Sequence, residues 1–524
     1  MRDFQSPGRS AVFAEKGMCA TSHPLAAKVA VELLERGGNA MDAAIAGAVL
    51  LGICEPQSTG IGGDAFCLFS PPGSEAVRAL NASGRAPAGF DAEAARAKGA
   101  TIGLRSIESV TLPGAVDGFC RLSADHGRLD LAEVLAPAIH YAEAGVPVAP
   151  RVAFDYARSW GTLHGAGPAH FLQGGRPLKA GEVFRAPGQA EVLRRVARDG
   201  RAGFYEGDVA ADMVGTLRAA GGNHTPEDFA AVACDYTDPI TGRYGEIDLL
   251  EHPPNGQGAT AIAMLNILKN FDLSAMDPWG AERAHIEAEA AKLAYDLRNR
   301  VIADPDRTAR LDHMMSQDTA DRLAALIDPA RALPPGLPGA EAVHRDTVYI
   351  TVVDRDRMAV SLIYSTFHSF GSGLASDRFG ILFQNRGAGF TLQRGHPNEA
   401  GPGKRPLHTI IPGMTRRNGR VEMSFGVMGG AYQPTGHARL LTNLQDFGMD
   451  LQAAIDGPRS FVEDGKLWLE TGYAPEVAQA LASRGHDLRR AESPIGGAQA
   501  IRIRPDGILE GASDPRKDGI ALGH

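Results

Sequence analysis

The sequence predicts a mixed α/β protein built in layers, and three observations predict it. Stretches rich in Ala, Leu and Val with helical spacing fill much of the N-terminal part, whereas an alternating strand pair begins at Thr347. The chain is also long, 524 residues, 44% hydrophobic and 22% charged, which suits an extensive core rather than a disordered polymer. Its 63 glycines and 33 prolines fall in no repetitive tract, so they predict many tight turns and close backbone approaches.

Along the chain, His23-Pro24 opens a helix that Gly37-Gly38-Asn39 breaks before a second Ala-rich helix from about Met41 to Leu51. Glu55-Pro56 and the Gly60–Gly63 turn lead into a short apolar strand. That turn lacks both Gly-Lys-Ser/Thr and G-x-G-x-x-G spacing, so it is read as a packing turn and not as a phosphate loop. In the helix His285–Arg300, Ile286, Ala290, Leu293 and Leu297 recur at 4-3-4 spacing as a buried stripe. Its histidine and carboxylates are expected on a solvated face. A Pro-rich, irregular segment follows to residue 346. Then Val348, Ile350 and Val352 alternate with Tyr349, Thr351 and Val353, so Thr347 shares a face with Tyr349 and Thr351. Asp354–Arg357 makes a turn and Met358–Tyr364 returns as the partner strand. Short strands are expected at Gly380–Phe383 and Val421–Val427, and helices near Gly436–Phe447 and Pro475–Arg484.

Composition narrows the function. A net charge of −9 with no basic run argues against nucleic acid. The first residues lack the apolar core of a secretory signal, and no window approaches the ~18 uninterrupted apolar residues of a membrane span. Cys19, Cys54, Cys67, Cys120 and Cys234 are widely spaced and odd in number, read as buried reduced thiols in a cytoplasmic protein. No G-x-S-x-G, S-x-x-K, H-E-x-x-H or Walker sequence occurs, and the histidines show no metal-ligand spacing. No metal or cofactor is expected.

What remains is Thr347. A threonine hydroxyl attacks only when a base takes its proton, and cutting the chain before it makes its own α-amine that base. A free α-amine has a reference pKa of about 8. On this segment alone, a threonine chosen for strand preference is the competing reading. Downstream, Gly429-Gly430 after an apolar strand is the turn best able to aim backbone N–H groups at an oxyanion, with an ordinary tight turn as its rival.

Several ordered segments give the chain a recognisable kinship. Met18-Cys-Ala-Thr-Ser-His-Pro-Leu25, Gly37–Ala44, Glu55-Pro56 with Gly60–Gly63, and Leu265–Leu268 come first. Phe370–Gly373, Gly403–Pro406, Met428–Gly430 and Gly511–Arg516 follow. In this order they resemble the γ-glutamyltransferase family of N-terminal-nucleophile hydrolases over nearly the whole chain. The resemblance implies a four-layer αββα sandwich and a precursor that cuts itself between Asp346 and Thr347. It implies a large subunit 1–346 and a small catalytic subunit 347–524, interlocked as one unit. Thr347 falls on the nucleophile, Gly429 and Gly430 on the oxyanion pair, and Ser365 on a threonine that supports the nucleophile.

The departures from the family pattern concern the substrate. Asn81-Ala-Ser-Gly-Arg-Ala-Pro87 puts Ser83 where γ-glutamyl enzymes carry the arginine for the substrate α-carboxylate, with Arg85 two residues on. Gly389 falls on the aspartate for the α-amine, Phe367 on an asparagine, and His408-Thr409 on a Ser-Ser pair. Both ends of a desolvated amino acid would go unmatched, at roughly 1–3 kcal/mol or more each. The segments Gln384–Ala388 and Gly371–Gly373 resemble the oxamate amidohydrolase and acylase-like branch instead. Arg85, Asn385, Arg386, His408 and Thr409 are therefore the candidates for substrate contact, Arg386 as a clamp on a carboxylate. The expected activity is cleavage of an amide of a small acidic acyl group through an acyl-enzyme on Thr347. A true γ-glutamyltransferase or glutathione hydrolase is the alternative, and a non-catalytic binding homologue the third reading. Hydrolysis versus transfer, and monomer versus homodimer, stay open.

Overall fold

The computed structural model describes residues 8–334 and 347–524. Asp346 lies outside the described residues. Two antiparallel seven-stranded sheets form the centre. In the first, the spatial order is Ile520–Gly523, Met18–Thr21, Val348–Val353, Ala359–Ser365, Asp64–Ser70, Arg78–Ala82 and Asp235–Thr237. In the second it is Val12–Ala14, Leu509–Ser513, Gly497–Ile503, Arg420–Met428, Pro412–Arg417, Ile247–Glu251 and Ile240–Tyr244.

The sheets stack face to face, with Val348–Val353 lying over Arg420–Met428 and Gly497–Ile503. Between them pack Met18, Leu68, Val353, Met414 and Ile501 in one cluster and Phe66, Tyr349, Ile363, Ile410 and Met428 in another. Helices Pro24–Glu35, Ala40–Cys54 and Leu131–Ala144 belong to the core on the outer face of the first sheet. Helices Gly258–Leu268, Ala281–Val301 and Gln433–Gln445 do the same for the second. The four-layer αββα sandwich expected from the resemblance is the fold of this chain. Because the first sheet is covered on both faces, its central strands Val348–Val353 and Ala359–Ser365 are buried throughout and read as apolar runs.

Local chemistry sets the first layer. His23 caps the first helix through Nδ1, accepting from the Leu25 N–H at 3.2 Å, with Pro24 at the first helical position. Asn39 and Asp42 form a reciprocal capping box on the second. That helix is rich in Ala and Gly because it lies close on the sheet. A Cβ on Gly47 would stand 2.3 Å from Ile350 Cδ1, so the glycine lets the helix settle onto the strand that follows Thr347.

Three expectations are corrected. Residues 285–300 do not present a solvated polar face: His285, Glu287 and Glu289 are all buried. The helix runs Ala281–Val301 and its outer side is covered by Pro475–Ser483 and Ser460–Glu463. Its charges are satisfied internally, Glu287 by Arg283 at 3.0 Å and by Arg439, and Glu289 by Lys292 at 2.6 Å. Secondly, the segment after it carries two short helices, Leu311–Met315 and Gln317–Ala324. Thirdly, Gly380–Phe383 holds one isolated bridge, Ala375 to Leu382, rather than a strand. Of the cysteines, all unbridged, Cys120 and Cys234 are half-buried and the other three buried. Among the described residues no helix is long and apolar enough to cross a membrane.

Candidate active site

Thr347 directly precedes Val348–Val353 and is buried. Val348 pairs with Tyr364, so Thr347 lies beside Ser365, the last residue of the adjacent strand, which itself pairs with Asp64. Side-chain alternation directs Thr347, Tyr349 and Thr351 to the inter-sheet face. Tyr349 OH lies 2.7 Å from Ser361 Oγ, and Thr351 Oγ1 donates to Ser424 Oγ at 2.7 Å across the gap. Val348, Ile350 and Val352 take the opposite face, under the helices. Thr347 therefore opens onto the space between the sheets at one end of the sandwich. Ser365 Oγ accepts from the Phe367 N–H at 2.8 Å and fixes the chain as it leaves the strand.

The strand Arg420–Met428 ends at the same place, because Met428 packs on Tyr349. Gly429 (φ 127°) and Gly430 (φ 58°) follow in backbone conformations that L side chains rarely adopt. The Gly429 carbonyl accepts from the Tyr432 N–H at 3.1 Å, and the Gly430 carbonyl from Gln257 Nε2 at 3.0 Å. In a trans peptide C=O and N–H point oppositely, so the Gly430 and Ala431 N–H groups face away from these partners. Gln257 also donates to the Thr409 carbonyl at 2.6 Å and accepts from Arg298 at 2.9 Å, binding the glycine turn to Thr409. Sequence reasoning missed Gln257 and Arg298, and no motif marks them. A Cβ on Gly429 would stand 2.9 Å from Gly496 Cα. Gly429→Ala must therefore shift the turn, and it is expected to lower kcat by about 10²-fold or more while the protein stays folded. Steady-state rates beside thermal melts check this; parallel loss of stability and rate would make the turn structural.

Arg386 begins the short turn Arg386–Gly389 and is fully buried. Its NH1 donates to Thr409 Oγ1 at 2.9 Å, and its guanidinium lies 4.2 Å from the centroid of the Phe367 ring. Among the described residues, Nε and NH2 have no hydrogen-bond partner and no carboxylate lies within ion-pairing distance. Burial pulls its pKa down to about 9, opposed by the charge of Asp64, so it stays cationic at neutral pH. Asp64 is already occupied: it accepts from the Gly84 and Gly114 N–H groups at 2.8 and 3.1 Å, from Gln384 at 2.9 Å, and faces His408 Nε2 at 3.1 Å. His408 Nδ1 accepts from the Ile410 N–H at 3.4 Å, which leaves the ring proton on Nε2, toward Asp64. Burial and the nearby Arg386 push the His408 pKa down to about 3, so the ring is neutral over the working range.

The structure thus brings Arg386, Thr409 and His408 together. The other two candidates make different contacts. Asn385 spans two loops, accepting from the His368 N–H at 3.1 Å and donating to the Leu104 carbonyl at 2.9 Å. Arg85 is 41% exposed and donates to the Gly403 carbonyl at 3.1 Å and toward Asp304 at 3.4 Å. Ser83 is buried in a network with Asn81 (2.6 Å) and Asn255. A cavity of about 530 Å³ lies alongside, with Phe367, Gly389, Thr409 and Ala431 in its wall. Away from this region, His285, Glu289 and His486 have ligand atoms within 4.8 Å of one another. Each is engaged already: His285 Nδ1 with His486 Nε2 at 2.8 Å, and Glu289 with Lys292 and the Leu333 N–H. The trio ties helix Ala281–Val301 to the segment that follows Pro475–Ser483.

Two stacked antiparallel sheets enclosed by helices, with a threonine entering a central strand opposite a glycine turn, define an enzyme of the N-terminal-nucleophile class. The family model described as gamma-glutamyltranspeptidase matches residues 26–524, and the chain belongs to that family. It is 34% identical to the glutathione hydrolase-like YwrD proenzyme of Bacillus subtilis, over 98% of this chain and 99% of that protein. It is 35% identical to the oxamate amidohydrolase proenzyme of Klebsiella pneumoniae, over 97% and 98%. The solved cephalosporin acylase from Bacillus halodurans superimposes with a TM-score of 0.93 at 37% identity, over 100% of this chain and 99% of that one.

Proposed function

We propose that the chain is a self-processing amidohydrolase that cleaves an amide of a small acidic acyl group. Processing divides it between Asp346 and Thr347 into 1–346 and 347–524: Thr347 Oγ attacks the Asp346 carbonyl, the C–N bond breaks to an ester, and water hydrolyses the ester. The freed α-amine then takes the Thr347 hydroxyl proton as Oγ attacks a substrate amide. Backbone N–H groups of the Gly429-Gly430 turn receive the oxyanion. The amine leaves with the proton, and water, deprotonated by the same α-amine, releases the acid. The proenzyme names of the relatives support the processing step.

The observation that carries the acidic acyl group is Arg386, a buried cation with two donors unmet among the described residues. A carboxylate stripped of water needs such a partner, and the paired N–H geometry of a guanidinium suits it. Asp64 does not fill that role, because its oxygens already take four donors. A γ-glutamyl group is poorly served, since Ser83 is tied to Asn81 and Gly389 has no side chain. A reducing, cytoplasmic setting fits the five unbridged thiols.

The test is a panel: oxamate and longer dicarboxylic monoamides against γ-glutamyl anilide and neutral amides, with ammonia or amine release as readout. Turnover of the acidic amides well above the rest is expected, and efficient γ-glutamyl turnover alone would reverse the reading. The same assay gives a pH profile. The α-amine acts only when neutral, so kcat/KM is expected to rise through one ionisation near ~8 and to show none near 6.5. His408, with its pKa near 3, stays neutral throughout and contributes no limb. A limb near 6.5 abolished by His408→Gln would contradict this.

A further inference from the structure

Self-cleavage needs a base that turnover does not. Before the chain is cut, the Thr347 nitrogen belongs to a peptide bond, and its delocalised lone pair cannot take the hydroxyl proton. On the Ser365 side of Thr347 no group fills that role. Asp64 already takes four donors, and His408 carries its ring proton on Nε2 with a pKa near 3.

The opposite flank has different chemistry. Strand Met18–Thr21 lies beside Val348–Val353, with Thr21 opposite Ile350. Alternation carries Ser22 to the inter-sheet face with Met18 and Ala20, opposite Tyr349 and diagonal to Thr347. Diagonal neighbours stand about 7–8 Å apart, a span that one water bridges. The Ser22 hydroxyl donates to Glu55 Oε1, and both residues are buried. The turn 517–519 closes over them, since a Cβ on Gly519 would stand 2.7 Å from Ser22 Cα. The Lys517 stem lies on Gly497, where a Cβ would stand 2.8 Å from its Cγ. Gly497 pairs with Met428, the residue before the Gly429-Gly430 turn. Next to it, Gln499 pairs with Gly426, against which the Tyr349 ring packs. Lys517 Nζ and the side-chain amides of Gln57 and Gln499 are buried with no hydrogen-bond partner among the described residues. Buried polar groups of this kind hold water or a reacting group.

The charges around Glu55 suit proton exchange. Burial pushes its pKa up to about 7, against the Lys517 charge and the Ser22 hydrogen bond, while Asp155 and Asp518 add to the rise. Those two carboxylates are engaged elsewhere: Asp155 pairs with Arg151 at 2.9 Å, and Asp518 accepts from the Arg151 N–H at 2.8 Å. Burial keeps the adjacent Cys54 a neutral thiol. It also lowers the pKa of His23, beside Ser22, to about 4. His23 Nδ1 accepts from the Leu25 N–H, so its ring proton sits on Nε2 and leaves no lone pair free there. Glu55 is thus the group on this flank, among the described residues, able to take and return a proton near neutrality.

We propose that Glu55 is the proton relay of self-cleavage, positioned by Ser22 and Lys517 and reaching Thr347 through one water. The Glu55 carboxylate takes the Thr347 hydroxyl proton as Oγ attacks the Asp346 carbonyl. When the C–N bond breaks, that proton passes to the departing nitrogen, which becomes the α-amine, and Glu55 is again a carboxylate. The new amine then serves as base for ester hydrolysis and for substrate.

The inference rests on the self-processing reading given above, and its test separates the two. The full chain is made by cell-free translation, and loss of the uncut form is followed on denaturing gels from about pH 5.5 to 8.5. In the wild type the cleavage rate is expected to rise through one ionisation near pH 7. Glu55→Gln, nearly the same shape, is expected to cut at least about 10-fold more slowly at the upper end and to lose that limb. Lys517→Met removes the cation that favours the carboxylate, so the limb is expected to move up by about 1 pH unit. Thermal melts of the uncut variants monitor the fold, and a merely structural role for Glu55 would not shift a pH limb. Cleavage by Glu55→Gln at the wild-type rate, or a wild-type rate that does not change with pH, overturns the assignment of Glu55. A limb unmoved in Lys517→Met overturns the part given to Lys517. A wild-type chain that never cuts would instead count against self-processing itself.

Discussion

Thr347→Ala leaves the protein as one uncut chain and lowers amide turnover by at least about 10³-fold, the largest effect expected of any single substitution here. One hydroxyl serves both events, so neither survives without it. The fold should persist, because Thr347 sits just before the start of a central strand whose residues, Val348 to Val353, carry the packing on both faces. Denaturing electrophoresis reads the processing, and amine release reads the turnover. A mutant that still cuts itself, or still turns over, would place the nucleophile elsewhere.

Arg386→Met is expected to move activity and stability in opposite directions. The wild-type guanidinium is fully buried and forms one hydrogen bond, to Thr409, with Nε and NH2 unmet among the described residues. Burying a charge this way costs stability that a flexible apolar side chain of similar length recovers. The variant should therefore be as stable as the wild type, or more stable by about 1–3 kcal/mol. It should lose about 10²–10³-fold in kcat/KM for acidic amides, chiefly through KM, since the contact to a carboxylate exists before and during the reaction. Linkage gives the same sign. A cation with a depressed folded pKa, about 9 here, destabilises the fold at pH values below it, and that penalty lessens as pH rises beyond 9. A large loss of stability in Arg386→Met, with KM unchanged, would show that the arginine is structural.

Much of this was legible in the sequence where the signal is local. Alternation from Val348 to Val353 located the strand that follows Thr347, and His23-Pro24 with Gly37-Gly38-Asn39 located the first two helices. The Gly429-Gly430 turn was legible because a positive φ at the end of a strand calls for glycine. The errors arise where distant segments decide the environment. The 4-3-4 stripe of residues 285–300 correctly marks one buried face, but the other face is buried by residues 460–483, and sequence spacing carries no trace of that. Arg85 and Arg386 look alike as arginines directly beside a glycine, Gly84 and Gly387. What separates them is that Arg85 meets solvent, Asp304 and Gly403, whereas Arg386 meets Phe367 and Thr409 inside the molecule. Gln257 and Arg298 were invisible for the same reason, since their work is to tie Thr409 to Gly430 across the fold.

The central claim is an acyl-enzyme on the amine-bearing threonine that starts the small fragment. Intact-mass spectrometry of processed protein, quenched in acid during turnover of a slowly hydrolysed acidic amide, tests it most directly. The account predicts a fragment 347–524 heavier by the parent acid less one water, with the added mass on its N-terminal peptide and absent from the fragment 1–346. An adduct on the larger fragment, or on any other residue of the smaller one, would contradict it.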